Sequence, residues 1–113
     1  MVTGEDIVNE AKKYLGKPWK DWGVPFIGFD SSDLVVLVYK NAAGINLPHG
    51  TKYLINQGRK VAQNNLKPGD LVFPHAGHVG IYMGGNQIIH KPPNEDCARI
   101  YYIRKFYTAR RIL

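Results

Sequence analysis

Residues 71–73 (Leu71-Val72-Phe73), 78–83 (His78-Val79-Gly80-Ile81-Tyr82-Met83) and 87–90 (Gln87-Ile88-Ile89-His90) are three short runs rich in β-branched and aromatic residues. They read as strands. Gly84-Gly85-Asn86 lies between the last two and marks a tight hairpin, while Lys67-Pro68-Gly69-Asp70 supplies a turn before the first. Residues 100–103 and 109–113 are predicted to be strands as well. Ahead of this region the periodicity is different. Thr3 with Asp6 reads as a helix N-cap with an acidic first turn, and Ile7, Val8, Ala11, Tyr14 and Leu15 recur at helical spacing until Gly16 and Pro18. Residues 17–28 are rich in Gly, Pro and aromatics and suit an ordered loop. Asp30-Ser31-Ser32-Asp33 suits the start of a second helix. Its body, residues 34–43, is apolar nearly all round and ends at Gly44, as expected of a buried central helix. Thr51 opens a short helix to Gln57. Helices first and an antiparallel sheet afterwards predict an α+β fold. With no linker in view, residues 1–113 form a single domain.

The chain has 113 residues, a net charge of +6, 44% hydrophobic and 21% charged residues, proportions of an ordinary globular domain. The longest apolar run is residues 34–38, far short of a membrane span. One cysteine, Cys97, excludes an internal disulfide framework. The positive charge favours an anionic partner such as nucleic acid, a lipid surface or a bacterial wall polymer, and charge alone does not choose among them. No basic-then-apolar leader opens the sequence, so no signal peptide is expected.

Side-chain alternation gives the histidines a possible common purpose. His78, Gly80 and Tyr82 share one strand face. A three-residue loop at Met83-Gly84-Gly85 would set Tyr82 opposite Asn86 and His78 opposite His90; a two-residue loop at Gly84-Gly85 would put the histidines on opposite faces. Spacing leaves both registers open. A nucleophile at the start of the second helix would have its anion stabilised by unpaired backbone N–H groups, although Ser and Asp there are also ordinary caps. A zinc site built from His75, His78, His90 and Cys97 is disfavoured, because structural zinc ligands pair at tighter spacing. Cys97 is disfavoured as a nucleophile by its neighbours Asn94, Glu95 and Asp96. Arg99, Arg104, Lys105, Arg110 and Arg111 alternate with Tyr101, Tyr102 and Phe106 as a half-exposed sheet would, so nucleic-acid binding is not expected. Trp19 and Trp22 suit core or pocket wall equally.

Taken in order, Leu15-Gly16-Lys17-Pro18-Trp19, Asp21-Trp22-Gly23, Phe29-Asp30-Ser31-Ser32-Asp33-Leu34-Val35, Leu47-Pro48, Gln57-Gly58, residues 66–73, residues 78–84 and Ile88-Ile89-His90 resemble the NlpC-type cell-wall peptidases. These are papain-like cysteine endopeptidases that cut peptidoglycan stem peptides. The resemblance runs from about Ile7 to Arg111 and implies N-terminal helices packed on a central antiparallel sheet. It implies that position 31 is the nucleophile, a Cys in the family and Ser31 here. It further implies that His78 is the general base and that His90 orients it. Asp30 falls where the family reads the free amino end of the L-Ala-γ-D-Glu unit. Ser32, Trp19, Trp22, His49 and Gly77 are the remaining candidates for contact with substrate. No cofactor and no metal is implied.

Ser31 for Cys, Asp33 for the usual Gly, Trp19 for a frequent Tyr and His49 for a frequent Arg depart from the family pattern. An alkoxide is far harder to form than a thiolate in a site built for a thiolate–imidazolium pair. The favoured reading is therefore a peptidoglycan endopeptidase cutting between γ-D-Glu and the diamino acid, inactivated by an engineered Cys-to-Ser change. A natural, catalytically silent peptidoglycan-binding domain is the alternative. Either form is expected to be a monomer, secreted or acting at a bacterial cell wall.

Overall fold

In a computed structural model, which describes residues 1–23 and 30–113, two helices pack against one face of a six-stranded antiparallel sheet. The second half of the expected loop and Phe29 of the motif lie outside the described residues. Helix α1 (Gly4–Lys12) opens with a capping box: Asp6 N–H donates to Thr3 Oγ1 at 3.3 Å, and Thr3 N–H donates to the Asp6 carboxylate at 2.9 Å. Ile7, Val8 and Ala11 are its buried face. Helix α2 (Ser32–Ala43) is buried from Ser32 to Tyr39 and ends at Gly44, whose φ of 67° only glycine adopts cheaply. The short helix α3 (Thr51–Leu54) stops three residues before the expected end.

The strands are β1 (Arg59–Lys60), β2 (Leu71–His75), β3 (His78–Gly84), β4 (Gln87–His90), β5 (Arg99–Tyr102) and β6 (Thr108–Arg111), in the order β1-β6-β2-β3-β4-β5. Alternation divides them cleanly. Leu71, Phe73, Val79, Ile81 and Ile89 join Ile7, Leu34, Val35 and Val38 in the main core, while Val72, Ile88 and Ala109 face the other way into a smaller cluster with Val61 and Ile103. The turn before β2 is tied to the neighbouring strand β6. The Arg111 guanidinium grips the buried Asp70 carboxylate with two bonds of 2.8 Å, and Lys67 N–H donates to the same carboxylate.

The β3–β4 hairpin corrects the expected register. Ile81 pairs with Ile89, Tyr82 with Ile88 and Gly84 with Gln87, so neither anticipated loop is present. The tight turn is Gly85-Asn86, with both residues at φ 61°. On its own this two-residue turn would send His78 and His90 to opposite faces. One extra residue between Tyr82 and Gly84 forms a bulge, with Gly84 at φ 97°, and restores a common face. The same pairing, continued, puts Gly80 opposite His90, leaving His78 on the diagonal rather than directly across.

Gly80 is required by that arrangement. A Cβ there would stand 2.9 Å from Ile88 Cδ1 and 3.1 Å from both His90 Cβ and Ile89 O. Gly80→Ala is therefore expected to destabilise the fold by about 1–3 kcal/mol, the usual cost of overpacking, and to displace His90. Denaturant unfolding measures the first effect and histidine side-chain chemical shifts the second. An unchanged midpoint with unchanged shifts would contradict this packing.

Candidate active site

The start of α2 is capped by its own acidic residues. Ser32 N–H donates to the Asp30 carboxylate, and Asp30 N–H donates back to Asp33 Oδ2 at 3.1 Å. This is the reciprocal arrangement of a capping box, carried by Asp30 and Asp33. Asp33 thus has a structural reason to stand where the family pattern has glycine. Burial pushes its carboxyl up, opposed by the Asp30 backbone bond and then by His49, whose Nδ1 lies 3.8 Å away.

Because Asp30 does the capping, Ser31 does not. Its Oγ points into the protein and accepts from Val79 N–H at 3.1 Å, with Thr51 Oγ1 at 3.4 Å. Thr51 in turn reaches Asp30 Oδ1 at 3.5 Å, and Ser32 Oγ accepts from Gly50 N–H at 3.0 Å. The beginnings of α2, α3 and β3 therefore meet around residue 31. Among the described residues no hydrogen bond joins Ser31 to an imidazole. His78 nevertheless lines the same cavity, of about 180 Å³, with Asp30, Ser31, Gly77, Lys91 and Pro93.

His78 and His90 touch edge to face, ring centroids 4.8 Å apart, with Nε2 of His78 2.5 Å from Nδ1 of His90. Nδ1 of His78 is the nitrogen left for a partner at residue 31. Both rings are buried, 9% and 4% exposed. Burial pushes His78 below its ordinary value, helped by the charges of His75 and Lys91 and opposed by Asp30. Burial, His78 and Lys91 push His90 down to about 4. Burial thus disfavours the charged form of both histidines. One ring must donate to the other. If His78 Nδ1 is to accept a proton, Nε2–H of His78 donates to His90, and the His90 proton then sits on its own Nε2. Among the described residues that atom is buried without a hydrogen-bond partner, and the Tyr101 ring packs on the imidazole at 4.3 Å between centroids.

The other candidates separate. Gly77 lines the cavity beside Ser31, with Asp30. His49 is exposed and faces Asp33. Trp22 is a correction: only 5% exposed, it packs on Tyr14 and Trp19 and donates Nε1–H to Lys17 O at 2.8 Å, so it belongs to the core and not to a pocket wall. Trp19 is half-buried against the same core. Cys97 is buried and unbridged, and His75 stacks on His78 at 5.8 Å between centroids.

Lys91 is the site residue that sequence reading missed. It is 2% exposed beside Ser31, and its Nζ donates to the carbonyls of Pro92 and Glu95. Nothing in a lysine after a strand signals burial; the turn that supplies the two carbonyls creates it.

His90 makes stability depend on pH. Its imidazole is held lower in the folded protein than in the unfolded chain, so between about pH 6.5 and about pH 4 the unfolded chain binds more protons. Stability is therefore lost as pH falls through that window. His90→Gln, which keeps an acceptor for His78 without the titration, should flatten the decline. Thermal melting followed across the window checks this, and an equally steep decline in His90→Gln would contradict it.

Residues 16–113 match the model of the NlpC/P60 family. Gamma-DL-glutamyl hydrolase of Bacillus subtilis is 43% identical over 88 residues, covering 74% of this chain and 21% of that protein. Probable endopeptidase NlpC of Escherichia coli is 32% identical over 115 residues, covering 92% of this chain and 75% of that protein. The chain thus spans about a fifth of one relative and three quarters of the other. Among solved structures, the NlpC/p60 domain of the peptidoglycan hydrolase SagA superimposes with a TM-score of 0.84 at 31% identity, covering 98% of this chain and all of that one.

Proposed function

Since the chain belongs to the NlpC/P60 family, we propose that its site is that of a cysteine peptidase acting on peptidoglycan stem peptides, with Ser31 in the nucleophile's place. One observation carries the reading: Ser31, at the N-terminus of a buried helix, shares a cavity with an imidazole whose far nitrogen is held by a second histidine. The residue types alone are common; the chain of helix terminus, His78 and His90 is a nucleophile–base–orienter set.

With cysteine at position 31, His78 Nδ1 takes the thiol proton, and the thiolate is held by the helix N-terminus and by the resulting imidazolium. The thiolate attacks the carbonyl carbon of the bond between γ-D-Glu and the following diamino acid. The bond to nitrogen breaks, His78 returns its proton to the leaving amine, and a thioester remains. Water then attacks with His78 again as base, releasing the carboxylic acid and the thiol. His90 fixes the ring throughout by accepting from Nε2–H. Asp30, at the rim of the same cavity, offers its negative charge to the free amino end of L-Ala. Ser32, Gly77, His49 and Trp19 are placed in the surroundings of the substrate and not in the chemistry. The domain works at a bacterial cell wall, as one monomeric unit and without a cofactor.

One feature favours a second reading, a silent wall-binding domain. Ser31 Oγ is committed to Val79 N–H and Thr51 and not to His78, as suits a hydroxyl that is never deprotonated. An engineered Cys-to-Ser change and a natural silent member predict different outcomes when sulfur is put in. If the site is catalytic, Ser31→Cys releases amine from purified stem peptides bearing a free L-Ala terminus, while the Ser31 protein is inert. Adding His78→Ala should lower that rate by about 10²–10⁴, the usual contribution of a general acid–base. A folded Ser31→Cys protein that binds peptidoglycan yet cleaves nothing would establish the silent reading.

A further inference from the structure

The start of α2 holds two carboxylates next to residue 31. Asp30 accepts from Ser32 N–H and lies 3.5 Å from Thr51 Oγ1, itself 3.4 Å from Ser31 Oγ. Asp33, 5% exposed, accepts from Asp30 N–H. The positive end of the helix is therefore already answered by its own side chains. Both carboxylates oppose a further anion at residue 31, because like charges close together disfavour ionisation. His49, exposed and 3.8 Å from Asp33, answers that charge only when protonated.

A buried cation stands on the inner side. Lys91 follows β4, is 2% exposed, and lines the same cavity as Asp30, Ser31 and His78. Lysine is almost never buried so completely unless it is paired. Its Nζ donates to Pro92 O at 3.1 Å and to Glu95 O at 2.9 Å, which holds the ammonium in place. Burial pushes Lys91 down, and Asp33, Asp30, Asp96 and Glu95, in that order, oppose the effect. The carbonyl bonds and the four carboxylates favour the charged form.

From this placement we infer that Lys91 is an electrostatic positioning residue, whose buried ammonium offsets Asp30 and Asp33 so that residue 31 can carry an anion. The inference rests on the proposed thiolate chemistry at position 31. Asp33 adds a negative charge where the family pattern has glycine, and Lys91 is a buried ammonium on which that charge acts. The two are thus a compensating pair on either side of the nucleophile's position. The same ammonium, together with His75, disfavours a proton on His78, and with His78 it disfavours one on His90. Its removal therefore has a definite signature. Losing the cation should raise both the thiol at residue 31 and the imidazole of His78.

The test titrates the thiol of the Ser31→Cys protein, with Cys97→Ala to leave one signal, by its ultraviolet absorbance. Lys91→Met should raise the midpoint by about one pH unit, the effect of a single charge acting through a protein interior. Lys91→Arg keeps the charge and should stay near the starting midpoint. Adding Asp33→Asn to Lys91→Met should reverse the rise, since the amide still accepts Asp30 N–H but carries no charge. In the Ser31 protein, Lys91→Met should also raise the His78 titration followed by ring-proton chemical shifts. Reciprocity gives a reading with Lys91 intact: its Cε resonance should shift through the thiol midpoint. A thiol unmoved by Lys91→Met, a rise shared by Lys91→Arg, or a rise that Asp33→Asn leaves in place would overturn the inference. If no variant at position 91 folds, a Lys91 resonance indifferent to thiol ionisation overturns it equally. His78→Ala reads the catalytic proposal separately. A thiol that follows Lys91 but ignores His78 removes the hydrolytic reading and leaves the charge pairing standing; the reverse pattern removes the role of Lys91 alone.

Discussion

The buried hydrogen bond from Val79 N–H to Ser31 Oγ joins two segments that lie 48 residues apart in the chain, the start of α2 and the start of β3. Everything at the site follows from that junction. It sets the N-terminal turn of a buried helix against the first residue of a strand, so Ser31 and the imidazole of His78 line one cavity. The junction holds because the surrounding groups are satisfied elsewhere. Asp30 and Asp33 cap the helix reciprocally, Ser32 Oγ takes Gly50 N–H, and Thr51 links Ser31 to Asp30. Behind them Leu34, Val35 and Val38 fix α2 on Val79 and Ile81.

The histidine pair is organised by a different device. Two residues at φ 61° make the hairpin turn, and the extra residue at the bulge offsets its parity. Gly80 leaves room for His90 to lie across β3, so the imidazoles meet on the diagonal. Burial disfavours a charge on either ring, and an anion at residue 31 would favour one on His78. Among the described residues the same burial leaves Nε2 of His90 without a hydrogen-bond partner under Tyr101, a polar group buried at a cost.

Much of this was legible in the residues. The capping box at Thr3, the apolar body of α2 with its stop at Gly44 and the strands of the meander follow from local chemistry and period, whereas spacing alone left open whether His78 and His90 share a face. What escaped did so for identifiable reasons. The bulge is one residue in a glycine-rich loop, and whether Gly84 bends or pairs is decided by the strands on either side. Strand β1 is two exposed charged residues whose only strand-like property is their partner, β6. Trp22 carries the same indole in a core as in a pocket, and only its bond to Lys17 O and its contacts with Tyr14 and Trp19 decide. Lys91 is buried by carbonyls brought to it by the turn that follows.

The central claim is that residue 31 occupies a site built to hold a thiolate. It is tested most directly by titrating the thiol of the Ser31→Cys protein through its ultraviolet thiolate absorbance, with and without His78→Ala, and with the buried Cys97 replaced to leave one signal. The account predicts a thiol titrating well below the usual value of about 8.5, and rising towards it when the imidazole is removed. A thiol at position 31 that titrates at or above that value, unmoved by the loss of His78, would contradict it.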